Sequence, residues 1–186
     1  MGELILVLGG ARSGKTTFAQ QLGRELGGEN VLFVATAEAR DDEMAARIAS
    51  HRQSRPASWC TLEAPLDVAA VLAQQADAAR VVLIDCLSLL VSNVILALGE
   101  EPDAAAAQAA VMSEVEGILR VQRAATAAFI IVSNEVGLGL VPPYPLGRLY
   151  RDLLGLANQA VAAQASRVYL MVAGIPLDLR ALARSG

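Results

Sequence analysis

Leu4-Ile5-Leu6-Val7-Leu8-Gly9-Gly10-Ala11-Arg12-Ser13-Gly14-Lys15-Thr16-Thr17 decides the fold. The first five residues form a continuous apolar run, as expected of a strand buried on both faces. Gly9 to Thr16 fits G-x-x-x-x-G-K-[ST], and Thr17 to Leu26 continues as a helix stopped by Gly27-Gly28. Strand, glycine loop and helix in this order are what a phosphate-binding loop needs. Glycines let backbone N–H groups curl around phosphate oxygens, and the helix N-terminus adds partial positive charge. Lys15 is placed to hold the β and γ phosphates, and the Thr16 hydroxyl to ligate Mg²⁺. Lys15 is also the only lysine in the chain; every other cationic side chain is arginine. The position therefore calls for a compact ammonium rather than a planar fork.

Further along, apolar strands alternate with helical segments. Strands are expected at Val31–Ala35, Cys60–Glu63, Val81–Asp85, Phe129–Val132 and Val168–Val172, the last followed by a short tail turned at Gly174-Ile175-Pro176. Helices are expected at 41–55, 66–76, 87–98, 104–123 and 146–165, with Gly155 a weak point in the last. Asn134 to Pro145, rich in Gly and Pro, reads as a long loop of the kind that often carries function. Alternating β and α elements imply an α/β fold, a mostly parallel sheet with helices on both faces. Ligands then bind beyond the C-terminal strand ends, where the phosphate loop already lies.

The chain has 186 residues, of which 54% are hydrophobic, and suits one domain spanning residues 1–186. Its mean hydropathy of +0.44 raises the question of a membrane span. The longest apolar run, Val81 to Leu98, contains Asp85 and Asn93, so a buried strand and helix account for it better. Net charge is −4, without a basic tract, which argues against general nucleic-acid binding. Glu3 precedes the first apolar run without a cationic stretch, so no secretory signal is expected. Cys60 and Cys86 form no metal-spaced pair, and with one histidine a structural zinc site is not expected. A reducing cytoplasm is the expected setting.

Asp85 ends a hydrophobic strand. It suits a Mg²⁺-holding acid opposite Thr16, or else an N-cap for the next helix. His51, the sole histidine, lies in Arg47-Ile48-Ala49-Ser50-His51-Arg52-Gln53-Ser54-Arg55-Pro56. On a helix Arg47 and Arg55 share its face, so the segment is a local anion site. Nearby cations disfavour the imidazolium, leaving a neutral, nucleophilic ring. Met44 and Ile48 precede it at helical spacing, so a half-buried packing role is open as well. Thr36 and Ala37 either line a nucleotide pocket or end a strand in a turn. Glu63 contacts a ribose or base, or is simply exposed. Asn134-Glu135-Val136-Gly137 either receives a second substrate or caps a turn, and Arg148–Asp152 reads as a surface ion pair.

Taken together, these residues resemble the adenosylcobinamide kinase/adenosylcobinamide-phosphate guanylyltransferase family. The resemblance is carried by Gly9 to Thr16, Asp42-Glu43-Met44 with Arg47-Ile48, His51-Arg52 with Arg55-Pro56, and Trp59. Asp85-Cys86-Leu87, Asn134-Glu135-Val136-Gly137, Val141-Pro142, Arg151-Asp152, Gly155, Asn158-Gln159 and Gly174-Ile175-Pro176 extend it from Leu4 to about Leu179. Thr16 and Ser88 stand where the family often has Ser and Thr, and both keep a hydroxyl. The resemblance implies a P-loop NTPase fold of the RecA-like type and a homotrimer. It implies a first reaction in which ATP or GTP phosphorylates adenosylcobinamide. A second then transfers GMP from GTP to adenosylcobinamide phosphate through a guanylylated histidine, and His51 matches that histidine. Phosphates would then be held by Gly9, Gly10, Ala11, Arg12, Ser13, Gly14, Lys15 and Thr16, with Arg52, Gln53, Ser54 and Arg55 beside the nucleophile.

Two rival readings keep Lys15, Thr16 and Asp85. A simple kinase of a small metabolite would leave His51 structural. A non-enzymatic GTP switch would need an Asn-Lys-x-Asp guanine loop, and no lysine besides Lys15 exists to make one.

Overall fold

The computed structural model describes residues 2–38 and 56–184. Seven strands form one sheet: β1 (Leu4–Gly9), β2 (Val31–Ala35), β3 (Cys60–Glu63), β4 (Val81–Asp85), β5 (Ala128–Val132), β6 (Arg167–Val172) and β7 (Ile175–Asp178). Their order across the sheet is β3-β2-β4-β5-β1-β6-β7. Every pairing is parallel except β6 with β7. The helices are α1 (Lys15–Gly27), α2 (Val68–Gln75), α3 (Leu87–Ala97), α4 (Ala104–Ala124), α5 (Pro145–Gln164) and α6 (Leu179–Arg184). The expected helix over 41–55 falls outside the described residues. This is the expected α/β architecture, a mostly parallel P-loop sheet covered on both faces.

Alternate residues of each central strand feed two cores. Leu4, Leu6, Val82, Ile84, Phe129 and Ile131 pack under α2, α3, α4 and α5. Ile5, Val7, Leu83, Ile130 and Val132 pack under α1 and Trp59. Each large aliphatic or aromatic side chain fully buried this way stabilises by about 1.5–3 kcal/mol. Gly23 marks a close contact of α1: a Cβ there would meet the Trp59 ring at 3.1 Å. Trp59 is fixed in turn by its indole N–H, which donates to the Gly28 carbonyl at 3.1 Å. Among the described residues no helix is long and apolar enough to cross a membrane. The run from Val81 to Leu98 is instead β4 followed by α3. Asn93 within it is buried and donates to the Thr36 and Pro65 carbonyls.

Two expectations change. The chain does not leave the sheet after β6. Ala173 (φ 51°) and Gly174 (φ 82°) make a two-residue turn, and β7 returns antiparallel to β6. Such positive φ values suit the hairpin turns that match strand twist. Pro176 obscured the strand, yet an edge strand tolerates a missing N–H. Second, Arg148 does not pair with Asp152. Its guanidinium donates to the carbonyls of Pro142 and Pro143, at 3.1 and 2.8 Å, and Asp152 pairs with Arg151 at 3.1 Å. Gly155 leaves α5 unbroken.

Candidate active site

The site is built on the C-terminal tips of β1, β4 and β5. β5 lies between the phosphate-loop strand β1 and the acid-bearing strand β4. In the loop, Gly9 is at φ 155° and Gly14 at φ 93°. A Cβ on Gly9 would stand 2.6 Å from the Ser13 hydroxyl and 2.7 Å from the Met171 carbonyl, so no other residue fits. Arg12 also takes a positive φ, 55°, at the exposed crest. Gly14 opens α1 without a side-chain cap, and no acidic residue lies in the first turn. A helix start of this kind presents its N–H groups and the positive end of its dipole to an anion.

Lys15 is buried and its ammonium donates to the Gly10 carbonyl at 2.6 Å, arching back over the loop. The Thr16 hydroxyl donates to Asp85 Oδ2 at 3.1 Å, across 69 residues of sequence. This contact favours the metal reading of Asp85. The N-cap position of α3 belongs instead to Cys86. A hydroxyl and a carboxylate oxygen at hydrogen-bond distance are hard donors suited to Mg²⁺, which takes few protein ligands and completes its shell with phosphate and water. Among the described residues no group of three or more His, Cys, Asp or Glu is placed to hold a metal ion.

The hairpin turn is a part of the site that the sequence did not reveal. The Gly174 amide donates to the Ser13 carbonyl at 3.0 Å, and a Cβ on Gly14 would stand 3.3 Å from Gly174 Cα. The turn therefore buttresses the loop from below. An Ala-Gly dipeptide between two apolar runs was the available signal. The Ser13 hydroxyl is buried without a hydrogen-bond partner.

Thr36 is fully buried, and its hydroxyl is turned to the end of β4. It donates to the Cys86 carbonyl at 2.7 Å and accepts from the Cys86 amide at 2.8 Å. Ala37 follows at the β2 tip, and Glu63 is exposed at the tip of β3. Cys86 Sγ lies 2.9 Å from Ser88 Oγ. Burial first, and the Asp85 charge second, push the Cys86 thiol up to about 11, so it stays neutral and is no nucleophile. Burial likewise pushes the Tyr150 phenol, hydrogen-bonded to Ser88, up to about 12.

From the β5 tip, the Glu135 amide donates to the Gly9 carbonyl at 3.0 Å, which starts the long loop beside the phosphate loop. Asn158 of α5 donates to the Asn134 carbonyl at 3.0 Å. His51, Arg52, Gln53, Ser54 and Arg55 lie outside the described residues. A surface hollow of about 430 Å³, lined by Glu3, Asn30, Asp77 and Arg80 among others, opens at the opposite ends of the strands. It is remote from this chemistry.

With this geometry in place, comparisons with known proteins are specific. A family model described as cobinamide kinase / cobinamide phosphate guanyltransferase matches residues 5–179. The bifunctional adenosylcobalamin biosynthesis protein CobP of Pseudomonas aeruginosa is 44% identical over 175 residues, covering 94% of this chain and 96% of that protein. The bifunctional adenosylcobalamin biosynthesis protein CobU of Escherichia coli is 37% identical over 182 residues, covering 95% and 99%. A solved structure of the flagellar accessory protein FlaH from Methanocaldococcus jannaschii superposes with a TM-score of 0.48 at 14% identity, covering 96% of this chain and 78% of that one. A family match across nearly the whole chain, resting on a formed phosphate loop with its acid in place, leads to one conclusion: this chain belongs to the cobinamide kinase / cobinamide phosphate guanyltransferase family.

Proposed function

We propose that this chain phosphorylates adenosylcobinamide and then transfers GMP from GTP to the product, with His51 carrying the GMP between the two. The observation that carries the reading is the Thr16–Asp85 contact beneath a preformed phosphate loop, in a chain matching this family from end to end. In the first reaction the substrate's hydroxyl oxygen attacks the γ-phosphorus of ATP or GTP. The bond to the β,γ-bridging oxygen breaks and the nucleoside diphosphate leaves. The backbone N–H groups of Gly10 to Gly14 and the Lys15 ammonium hold the phosphates and take up charge as it shifts to the leaving group. Thr16 and Asp85 would hold Mg²⁺, which when bound neutralises phosphate charge.

In the second reaction a neutral ring nitrogen of His51 attacks the α-phosphorus of GTP and pyrophosphate leaves. A phosphate oxygen of adenosylcobinamide phosphate then attacks that phosphorus, the N–P bond breaks, and adenosylcobinamide-GDP forms. Imidazole suits both halves because it is a good nucleophile and, as a phosphoramidate, a good leaving group. Arg52 and Arg55 are the cations at hand to neutralise the α-phosphate. The enzyme acts as a cytoplasmic homotrimer on small-molecule substrates, without a nucleic-acid partner, and sedimentation giving a monomer at micromolar concentration would refute the trimer.

The test uses GTP labelled at the α-phosphate, without corrinoid. Wild-type protein retains label through denaturation, in an acid-labile, base-stable bond. His51→Asn takes no label and makes no adenosylcobinamide-GDP, yet still forms adenosylcobinamide phosphate. Label retained by that variant overturns the assignment, and loss of both activities makes His51 a shared binding residue.

A further inference from the structure

The loop from Asn134 to Tyr144, between β5 and α5, exposes its largest side chains. Leu138 is 86% exposed, Leu140 97%, Val141 62% and Tyr144 60%. Apolar side chains on a slack loop ordinarily fold back onto the nearest core, because burial is favourable. Here the backbone is pinned at both ends. Glu135 is tied to the phosphate loop through Gly9, and its carboxylate accepts from the Gly137 amide at 2.6 Å. Arg148 grips the Pro142 and Pro143 carbonyls. The Tyr144 ring lies so close over Gly147 that a Cβ there would meet it at 2.6 Å, so its orientation is set. The apolar surface is thus held out in a fixed shape.

We propose that this loop is the docking surface for the corrin ring of the acceptor, its apolar side chains lying against the macrocycle while the acceptor's reactive arm reaches the phosphate loop. The inference rests on the function proposed above and adds where the acceptor sits. Two observations point to a corrinoid. The surface is continuous with the nucleotide site: the loop's first residues are bonded to Gly9, so a ligand lying on it has the transferable phosphate within reach. The chemistry also matches. A corrin ring has methyl-studded apolar faces and a rim of carboxamides, and flat apolar ligands bind against apolar and aromatic side chains oriented by few polar groups.

The experiment compares the wild-type chain, the double variant Leu138→Ser/Leu140→Ser and the control Leu98→Ser, an exposed leucine at the end of α3. Kinase kinetics are run against adenosylcobinamide and against ATP, and adenosylcobinamide binding is measured directly by equilibrium dialysis. The double variant is expected to raise the corrinoid KM and Kd at least tenfold while the ATP KM moves less than about twofold, and the control to match wild type. Unchanged corrinoid Kd in the double variant overturns the proposal. Unchanged corrinoid Kd with a lowered sedimentation coefficient also overturns it, and assigns the loop to a subunit contact. A wild-type chain that binds adenosylcobinamide without phosphorylating it would refute the proposed function alone, since dialysis still decides where the ligand docks.

Discussion

Replacing Thr36 with valine separates two roles for the tip of β2. Valine has nearly the same shape, so the change removes a hydroxyl and leaves packing in place. The hydroxyl makes two hydrogen bonds to one residue, donating to the Cys86 carbonyl at 2.7 Å and accepting from the Cys86 amide at 2.8 Å, in a site with 0% exposure. The carbonyl keeps a second donor, the Leu90 amide at 3.2 Å, but the amide is left unsatisfied. An orphaned buried N–H costs about 1–3 kcal/mol and the other lost bond about 1, so a loss of about 2–4 kcal/mol is expected. In a chain of this length that lowers Tm by about 6–12 °C. Urea unfolding followed by the fluorescence of Trp59, the only tryptophan and a buried one, measures it. The midpoint should fall with an unchanged slope, because the surface exposed on unfolding is the same. A loss below about 0.5 kcal/mol with a raised nucleotide Kd would refute the reasoning and make Thr36 a nucleotide ligand.

Lys15→Ala should depress kinase and guanylylation rates together, by at least about a hundredfold, since one loop and one lysine serve both reactions; measuring both on one preparation checks it, and one rate near wild type would require a second nucleotide site. Asp85→Asn should shift the Mg²⁺ titration of activity to higher concentration by about tenfold or more while thermal stability stays close to wild type, because the amide keeps the shape and loses the charge. Glu3→Gln tests the ion pair that ties the start of β1 to Arg167 of β6. Hydrogen bonding to Arg167 holds the Glu3 carboxyl below its ordinary range, so its contribution is present above that range and is lost as pH falls through the lowered value. The variant should therefore lose under about 1 kcal/mol near neutrality, the pair being a third exposed, and show a flatter acid limb in urea midpoints measured from pH 3 to 7.

Much of this protein is local, and the sequence by itself determines that part. Five apolar residues running into Gly9 to Thr16 announce a buried strand, an anion-binding turn and a helix, because backbone freedom at glycine and the unsatisfied N–H groups of a helix start are properties of a few adjacent residues. An acid closing the run Val81 to Ile84 marks the second strand tip for the same reason. What only the tertiary structure decides are the partnerships made across the chain. Thr16 meets Asp85 because β5 lies between β1 and β4, and no local signal encodes strand order. Thr36 is legible only as a pocket residue or a strand-end turn, and its bond to the Cys86 backbone comes from β4 lying beside β2. Asn93, legible only as a polar interruption of an apolar run, turns out to fasten the β2 tip to α3. Arg148 has an acid four residues away on its own helix, yet binds loop carbonyls instead. Its guanidinium gains more from two fixed acceptors than from one solvated carboxylate, whose ion pair at the surface is worth little. The β6–β7 turn reaches the phosphate loop for a similar reason: β6 pairs directly with β1, so the residue that ends one strand must stand beside the loop that ends the other.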